Sequence, residues 1–132
     1  MNKSDFEILG KEIVEAAYAV HKELGPGLLE SVYEYCMLEE LREKELYVEN
    51  QVVLPLMYKG KDTGKTFMVD LLVENEIILE LKAVEKILPV HEVQLLTYMR
   101  LADKRLGFLI NFNVPLIKEG IKRKVNRYFF ES

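Results

Sequence analysis

The chain has 132 residues, 49% of them hydrophobic and 30% charged, with a formal net charge of −4. That length suits one domain, residues 1–132, with a core of its own, and the composition excludes a disordered chain and a polycation. A single cysteine, Cys36, excludes an internal disulfide. There is no apolar run of membrane-spanning length, and "MNKSDFEILGKEIVEAAY" holds no signal-like apolar core, so a cytoplasmic protein without a membrane is expected.

Ser4-Asp5-Phe6-Glu7 has the pattern of a capping box, with Ser4 as N-cap. Ile8, Ile13, Ala16, Ala17, Val20 and Leu24 follow at helical spacing and predict a helix over about 5–23, stopped by Gly25-Pro26-Gly27. A second helix is expected over about 29–45, with Leu29, Val32, Tyr33, Cys36, Met37 and Leu41 on its apolar face. "YVENQVVLPLMYKGK" reads as a strand that Pro55 makes edge-like or bulged, and "YKGKDTGK" as a polar loop. "TFMVDLLV" and "IILELKAV" are two further strands. Pro89 precedes a helix of about 90–102, "RLGFLINF" is an apolar strand, and "GIKRKVNRYFF" alternates like an outer one.

The order helix, helix, three strands, helix, strand, strand predicts an α/β fold with a mixed sheet. Strands apolar on both faces, such as 77–84, require cover on both sides. Charge is uneven: residues 1–50 hold five Lys/Arg against twelve Asp/Glu, and 51–132 hold thirteen against ten. The cluster Lys118, Lys122, Arg123, Lys124 and Arg127 is either a solvated strand face or a phosphate-facing edge.

The chemistry lies in "VDLLVENEIILELKAVE". Glu80 and Lys82 alternate onto one strand face, and Asp70 sits on the strand before. Two carboxylates about 4 Å apart repel by roughly 4 kcal/mol at an effective dielectric near 20. A lysine offsets part of that; a divalent cation offsets more, and oxygen-only ligands suit Mg²⁺ or Mn²⁺. A plain ion pair at a sheet edge is the simpler alternative. The loop decides whether the acids can meet. A two-residue turn at Glu74-Asn75 would put Asp70 and Glu80 on opposite faces, whereas a three-residue loop with a left-handed residue, Val73 pairing with Ile77, puts them side by side.

Asp70 followed by Glu80-Leu81-Lys82 resembles the PD-(D/E)XK nuclease superfamily, with Val69 standing where its naming proline would be. Gln94 and Tyr98, one helical turn apart, are similar to the Q-x-x-x-Y helix of its exonuclease-type branch. Gly27-x-x-Glu30-x-x-Tyr33 resembles the small GxxExxY proteins placed in the same superfamily, and the likeness spans about 5–127. The resemblance implies a restriction-endonuclease-like core, with a central mixed sheet flanked by helices, and a Mg²⁺- or Mn²⁺-dependent nuclease. Asp70, Glu80 and the Leu81 carbonyl would hold the metal, and Glu30 would complete its shell, through water in some relatives. Lys82 would orient water or stabilise the transition state. Gln94 and Tyr98 would line the cleft. From their positions alone, His21 at the end of the first helix, Tyr33, and His91 one turn before Gln94 are candidate cleft residues as well. Nucleic acid, DNA in the first instance, is the implied partner, and a homodimer would supply the surface a small chain lacks.

Each residue also has a purely structural reading. Glu30 suits a helix N-terminus, Tyr33 packing with a bonded hydroxyl, His21 a helix C-terminus, and Cys36 a small buried hydrophobe. The alternative function is a non-catalytic nucleic-acid- or protein-binding module on a nuclease fold.

Overall fold

The computed structural model describes residues 1–126 and 129 of the chain. Helix α1 (Lys3–Leu24) starts before Ser4. Asn2 is the N-cap instead: its side chain accepts from the Asp5 N–H while the Asp5 carboxylate accepts from the Asn2 N–H. Asn caps as well as Ser, and Asp5 at the third helical position closes the box. The buried stripe of α1 is Phe6, Leu9, Gly10, Ile13, Ala16, Ala17 and Val20; Ile8 is exposed, because Leu9 and not Ile8 lies one turn before Ile13.

Helix α2 (Glu30–Glu43) buries Tyr33, Met37, Leu38 and Leu41. Leu29, outside the helix, is exposed, Val32 is partly so, and Cys36 is half-buried against the core. No helix among the described residues is long and apolar enough to cross a membrane.

The five strands, β1 (Val48–Tyr58), β2 (Lys61–Val73), β3 (Ile77–Lys82), β4 (Leu106–Asn111) and β5 (Ile121–Val125), lie in that order in one sheet. Three neighbouring pairs are antiparallel. β3 and β4 are parallel, joined through α3 (Pro89–Leu101), so the sheet is mixed as the element order requires. β1 is an edge strand with a register shift between Pro55 and Met57, which suits a proline that cannot donate to a ladder.

The expected polar loop after Tyr58 is in fact mostly strand. Only Lys59 and Gly60 turn the chain, both at positive φ (51° and 79°), the geometry of a two-residue hairpin loop. The strand expected to reach Val84 stops at Lys82, because the Asn111 side chain takes both backbone groups of Val84. Before β5, Ile117–Gly120 forms a short 3-10 turn. The aromatic end expected for the outer strand falls largely on residues 127, 128 and 130, outside the described residues.

Both faces of the sheet are covered. Leu71, Leu79, Leu81, Phe108 and Ile110 pack under α1 and α2, while Leu72, Ile78 and Leu109 pack under Leu95 and Met99 of α3. Gly107 lets α3 come this close: a Cβ there would stand 2.9 Å from Leu95 and from Met99. This two-sided burial is why β3 and β4 read as near-continuous apolar runs.

Candidate active site

The turn between β2 and β3 sets the site. Glu74 and Asn75 both adopt left-handed conformations (φ 52° and 54°), and Glu76 N–H returns to the Val73 carbonyl. Val73 therefore pairs with Ile77, Leu72 with Ile78 and Leu71 with Leu79. The next rung would be Asp70 with Glu80, and there the ladder gives way to side chains. Asp70 N–H donates to Glu80 Oε2 (3.3 Å), and Leu81 N–H donates to Asp70 Oδ2 (2.8 Å). The three-residue loop thus brings the two carboxylates together on the α3 side of the sheet, the side Ile78 shares.

A second device lies across from Asp70. Between the rungs Asn50–Leu71 and Val52–Val69, Gln51 is left-handed (φ 51°). On one side of this point Val48, Leu71 and Val73 pack with α1 and α2. On the other, Val52, Leu54, Phe67 and Val69 pack with the α3 cluster. The β1–β2 ribbon rolls over at Asp70, so Asp70 sits where the ribbon leaves the sheet. Gln51 is held in this turn by its amide, 2.5 Å from Glu34 of α2.

Glu80 is only 5% exposed. Its burial, then the neighbouring Asp70 charge, push its pKa from 4.5 up to about 9, against the smaller pull of Lys82. Glu30 opens α2 at the mouth of the site. Its side chain reaches solvent, but enough protein surrounds it that desolvation, and then Asp70, raise its pKa while Lys82 lowers it. Tyr98 of α3 is half-buried, its ring 5.1 Å from that of Phe67, and burial followed by the Glu80 and Asp70 charges raises its hydroxyl pKa. Asp70, Glu80, Lys82, Glu30 and Tyr98 are therefore electrostatic neighbours. Gln94 lies one turn before Tyr98 on α3 and is exposed.

Other expected cleft residues do structural work. His21 Nε2 is hydrogen-bonded to the Val114 carbonyl at 2.8 Å, which ties the end of α1 to the segment after β4 rather than to the acids. His91 Nδ1 accepts from Leu88 N–H at the start of α3, satisfying a donor that the helix leaves open. Tyr33 is fully buried and stacked on Phe112 (4.6 Å), and its hydroxyl donates to the Gly25 carbonyl (2.6 Å) and accepts from Leu28 N–H (3.2 Å). Tyr33 thus latches the Gly25–Leu28 loop, in which Gly25 and Gly27 have positive φ, and so fixes where α2 begins. Gly27, Glu30 and Tyr33 form one device: a turn, the acid it presents, and its lock.

Asn111 was not singled out from the sequence. It is 2% exposed; its amide bonds both backbone groups of Val84, and its oxygen also accepts from Asn113 N–H. With Phe112 N–H on the Lys82 carbonyl, it pins the end of the strand that carries Glu80 and Lys82. A lone amide closing the apolar run "RLGFLIN" was the available signal. In the basic cluster, Arg123 pairs with Glu7 and Lys124 with Glu92, so these two are spent on holding helices to β5; Arg127 lies outside the described residues.

The donors at this site are hard oxygens. Among the described residues, no three His, Cys, Asp or Glu side chains form a ready-made metal cage. Two carboxylates are nevertheless enough for Mg²⁺, which keeps several waters and takes substrate phosphate oxygens as further ligands. Burial and then the repulsion from Asp70 raise Glu80, and a divalent ion would relieve both. The residues present therefore fit such an ion.

No curated protein and no solved structure matches the chain. A family model does, over residues 7–124, and that match covers both acids, Lys82, α2, α3 and α1 from Glu7 on. By that match, and with a five-stranded mixed sheet consistent with a restriction-endonuclease-like core, the chain belongs to the PD-(D/E)XK nuclease superfamily.

Proposed function

We propose that the protein is a metal-dependent nuclease that hydrolyses phosphodiester bonds, with DNA as substrate, and that it is of the GxxExxY kind within the superfamily. The observation that carries this reading is the pairing of Asp70 with a buried Glu80, each carboxylate accepting from the other strand's backbone. Lone buried acids are costly, and the set has no packing purpose that two apolar residues would not serve better.

Asp70, Glu80 and the Leu81 carbonyl would hold Mg²⁺ or Mn²⁺, with Glu30 reaching it from the mouth. A bound divalent ion supplies positive charge to a phosphate oxygen and makes a nearby water more acidic. The chain's own residues do the rest. Lys82, on the strand face of Glu80, places an ammonium where negative charge grows on the phosphate, and that preorganised charge is worth most in the transition state. Asn111 keeps Lys82 from drifting by fixing the backbone two residues on. Tyr98 and Gln94 form the α3 wall, and Tyr33 sets Glu30. The proposed location is the cytoplasm, and a homodimer would extend the binding surface.

One second reading is a binding module on a nuclease fold, which the net charge of −4 on a small chain favours. A labelled DNA strand separates the two. Cleavage with Mg²⁺ that stops with EDTA and is lost in Glu80→Gln supports the nuclease. Binding without cleavage in either metal supports the module.

A further inference from the structure

Strand pairing between β2 and β3 covers only Leu71–Val73, yet β1 and β2 continue to Tyr58 and Lys61. The two strands therefore overhang the sheet as a ribbon rooted at Asp70. The root half is anchored, with Val52, Leu54, Phe67 and Val69 packed on the α3 cluster. Beyond it, residues 57–66 are all exposed.

The tip is built, not slack. Between the rungs Pro55–Thr66 and Met57–Asp62, β2 carries two extra residues. Thr63 Oγ1 donates to the Leu56 carbonyl (2.7 Å) and accepts from Lys65 N–H, Asp62 Oδ1 accepts from Gly64 N–H (2.8 Å), and Gly64 supplies the positive φ. These bonds hold the backbone of the tip in one shape and occupy its only acid. What the tip presents is Lys59, Lys61 and Lys65, none in an ion pair among the described residues, and Tyr58, 66% exposed with the Lys59 ammonium over its ring. This is a local positive charge on a chain whose net charge is −4.

We infer that the β1–β2 ribbon is a DNA-gripping arm: its lysine tip holds phosphates of duplex DNA about two-thirds of a helical turn from the bond at Asp70 and Glu80. Two of the nine residues from Asp70 to Lys61 are the extra ones of β2, so the span is the seven residues from Gln51 to Tyr58 on β1, roughly 23 Å at about 3.3 Å each. One turn of B-DNA is about 34–36 Å, so the tip reaches about two-thirds of a turn. A two-stranded ribbon fits the B-form major groove, whereas the A-form groove of RNA is too deep and narrow, so the occupant is DNA. The arm supplies the grip that a small acidic chain otherwise lacks. It rests on the nuclease reading only for the position of the scissile bond.

The test replaces the three tip lysines together, Lys59→Gln, Lys61→Gln and Lys65→Gln, which leaves the tip's backbone bonds intact. Binding of a fluorescent 30-base-pair DNA duplex is measured in EDTA from 50 to 200 mM salt, and cleavage of the same duplex is measured separately with Mg²⁺. Three lost phosphate contacts should reduce the slope of log affinity against log salt by about 2.7, so that the wild type loses roughly 40-fold more affinity than the variant across this range. That result supports the arm whether or not the wild type cuts; without cutting, the arm stands and the nuclease reading falls. An unchanged slope beside normal cleavage overturns the arm and spares the nuclease, and a wild type that binds no duplex in EDTA overturns the arm as well. The other outer face of the ribbon carries Val53 (60% exposed) and Met68 (44%). If light scattering shows dimers that Val53→Ser with Met68→Ser splits, while the lysine variant binds DNA with the wild-type slope, the ribbon is a self-association surface and the proposal is wrong.

Discussion

Glu80→Gln should make the protein more stable at alkaline pH, and the size of the effect follows from the site. Glu80 is an ordinary acid of pKa 4.5 in the unfolded chain and is held up to about 9 in the fold, first by burial and then by Asp70. Between those values the folded state keeps a proton that the unfolded state has released. Stability is therefore fully present below about pH 4.5, falls as pH rises through the interval, and levels off above about 9. One proton over one pH unit is worth about 1.4 kcal/mol, so from pH 6 to pH 8 the loss is about 2.7 kcal/mol. At roughly 4 °C per kcal/mol for a chain of this size, Tm in EDTA should fall by about 10 °C across those two units. Glutamine has the same shape and carries no charge, so Glu80→Gln should flatten the curve and melt above wild type at pH 8. Thermal melts of both proteins from pH 5 to 9 are the assay, and parallel curves would refute the claim that a buried carboxylate is held neutral there.

Three further outcomes follow from the same geometry. Binding of Mg²⁺ near pH 7 should release about one proton, measurable by calorimetry in buffers of different ionisation enthalpy, so affinity should rise about tenfold per pH unit below the Glu80 pKa, and Asp70→Asn should abolish most of the heat. Lys82→Met should leave that metal binding in place but slow DNA cleavage by a hundred- to a thousand-fold, about 2.7–4 kcal/mol for one preorganised charge; unimpaired cleavage would make Lys82 structural. Tyr33→Phe keeps the stack on Phe112 but strips the Gly25 carbonyl and the Leu28 N–H of their partner, so urea unfolding should show a loss of about 1–3 kcal/mol. A loss below about 0.5 kcal/mol would mean that water replaces the latch.

The fold was legible where one physical signal dominated. Apolar runs in 77–82 and 106–111 announced strands covered on both faces, and the helix between them announced the crossover. Pro55 announced an edge. The errors came where local alternatives were nearly equal in energy. Ser4 and Asn2 cap comparably and each has an acid three residues on; in the fold Glu7 pairs with Arg123, and Asp5 closes the box on Asn2. "YKGKDTGK" has the composition of a loop because exposed ribbon strands have no apolar face to show. The strand pairing of 61–66 is set by a two-residue turn at Lys59-Gly60 and by Thr63 bonding across to Leu56, neither of which alternation reveals.

The candidate site stands out in the sequence for a different reason. Charges inside apolar strands contradict the pattern around them, and such contradictions mark function more often than error. Asp70, Glu80 and Lys82 were conspicuous in this way. His21 and His91 were conspicuous only by type, and each satisfies a backbone group of the scaffold instead. What could not be read was the backbone that makes the charges converge. Glu74 and Asn75 turn left-handed without a glycine between them, and Gln51 does the same on the facing strand. A non-glycine residue at positive φ costs free energy that nearby contacts must offset, and here the offsets are specific. Glu74 donates its N–H to Tyr47 and takes the Tyr47 N–H on its carboxylate, and Gln51 bonds Glu34. Glu74 and Gln51 are thus tied to different stretches of chain, Tyr47 at the entry to β1 and Glu34 in α2, and the Asn75 carbonyl accepts from Lys104 Nζ. The register that pairs two carboxylates is therefore stabilised by the β1 side of the sheet as well as by its own turn. That is why the acids can be held together at a cost that two isolated strands would not bear.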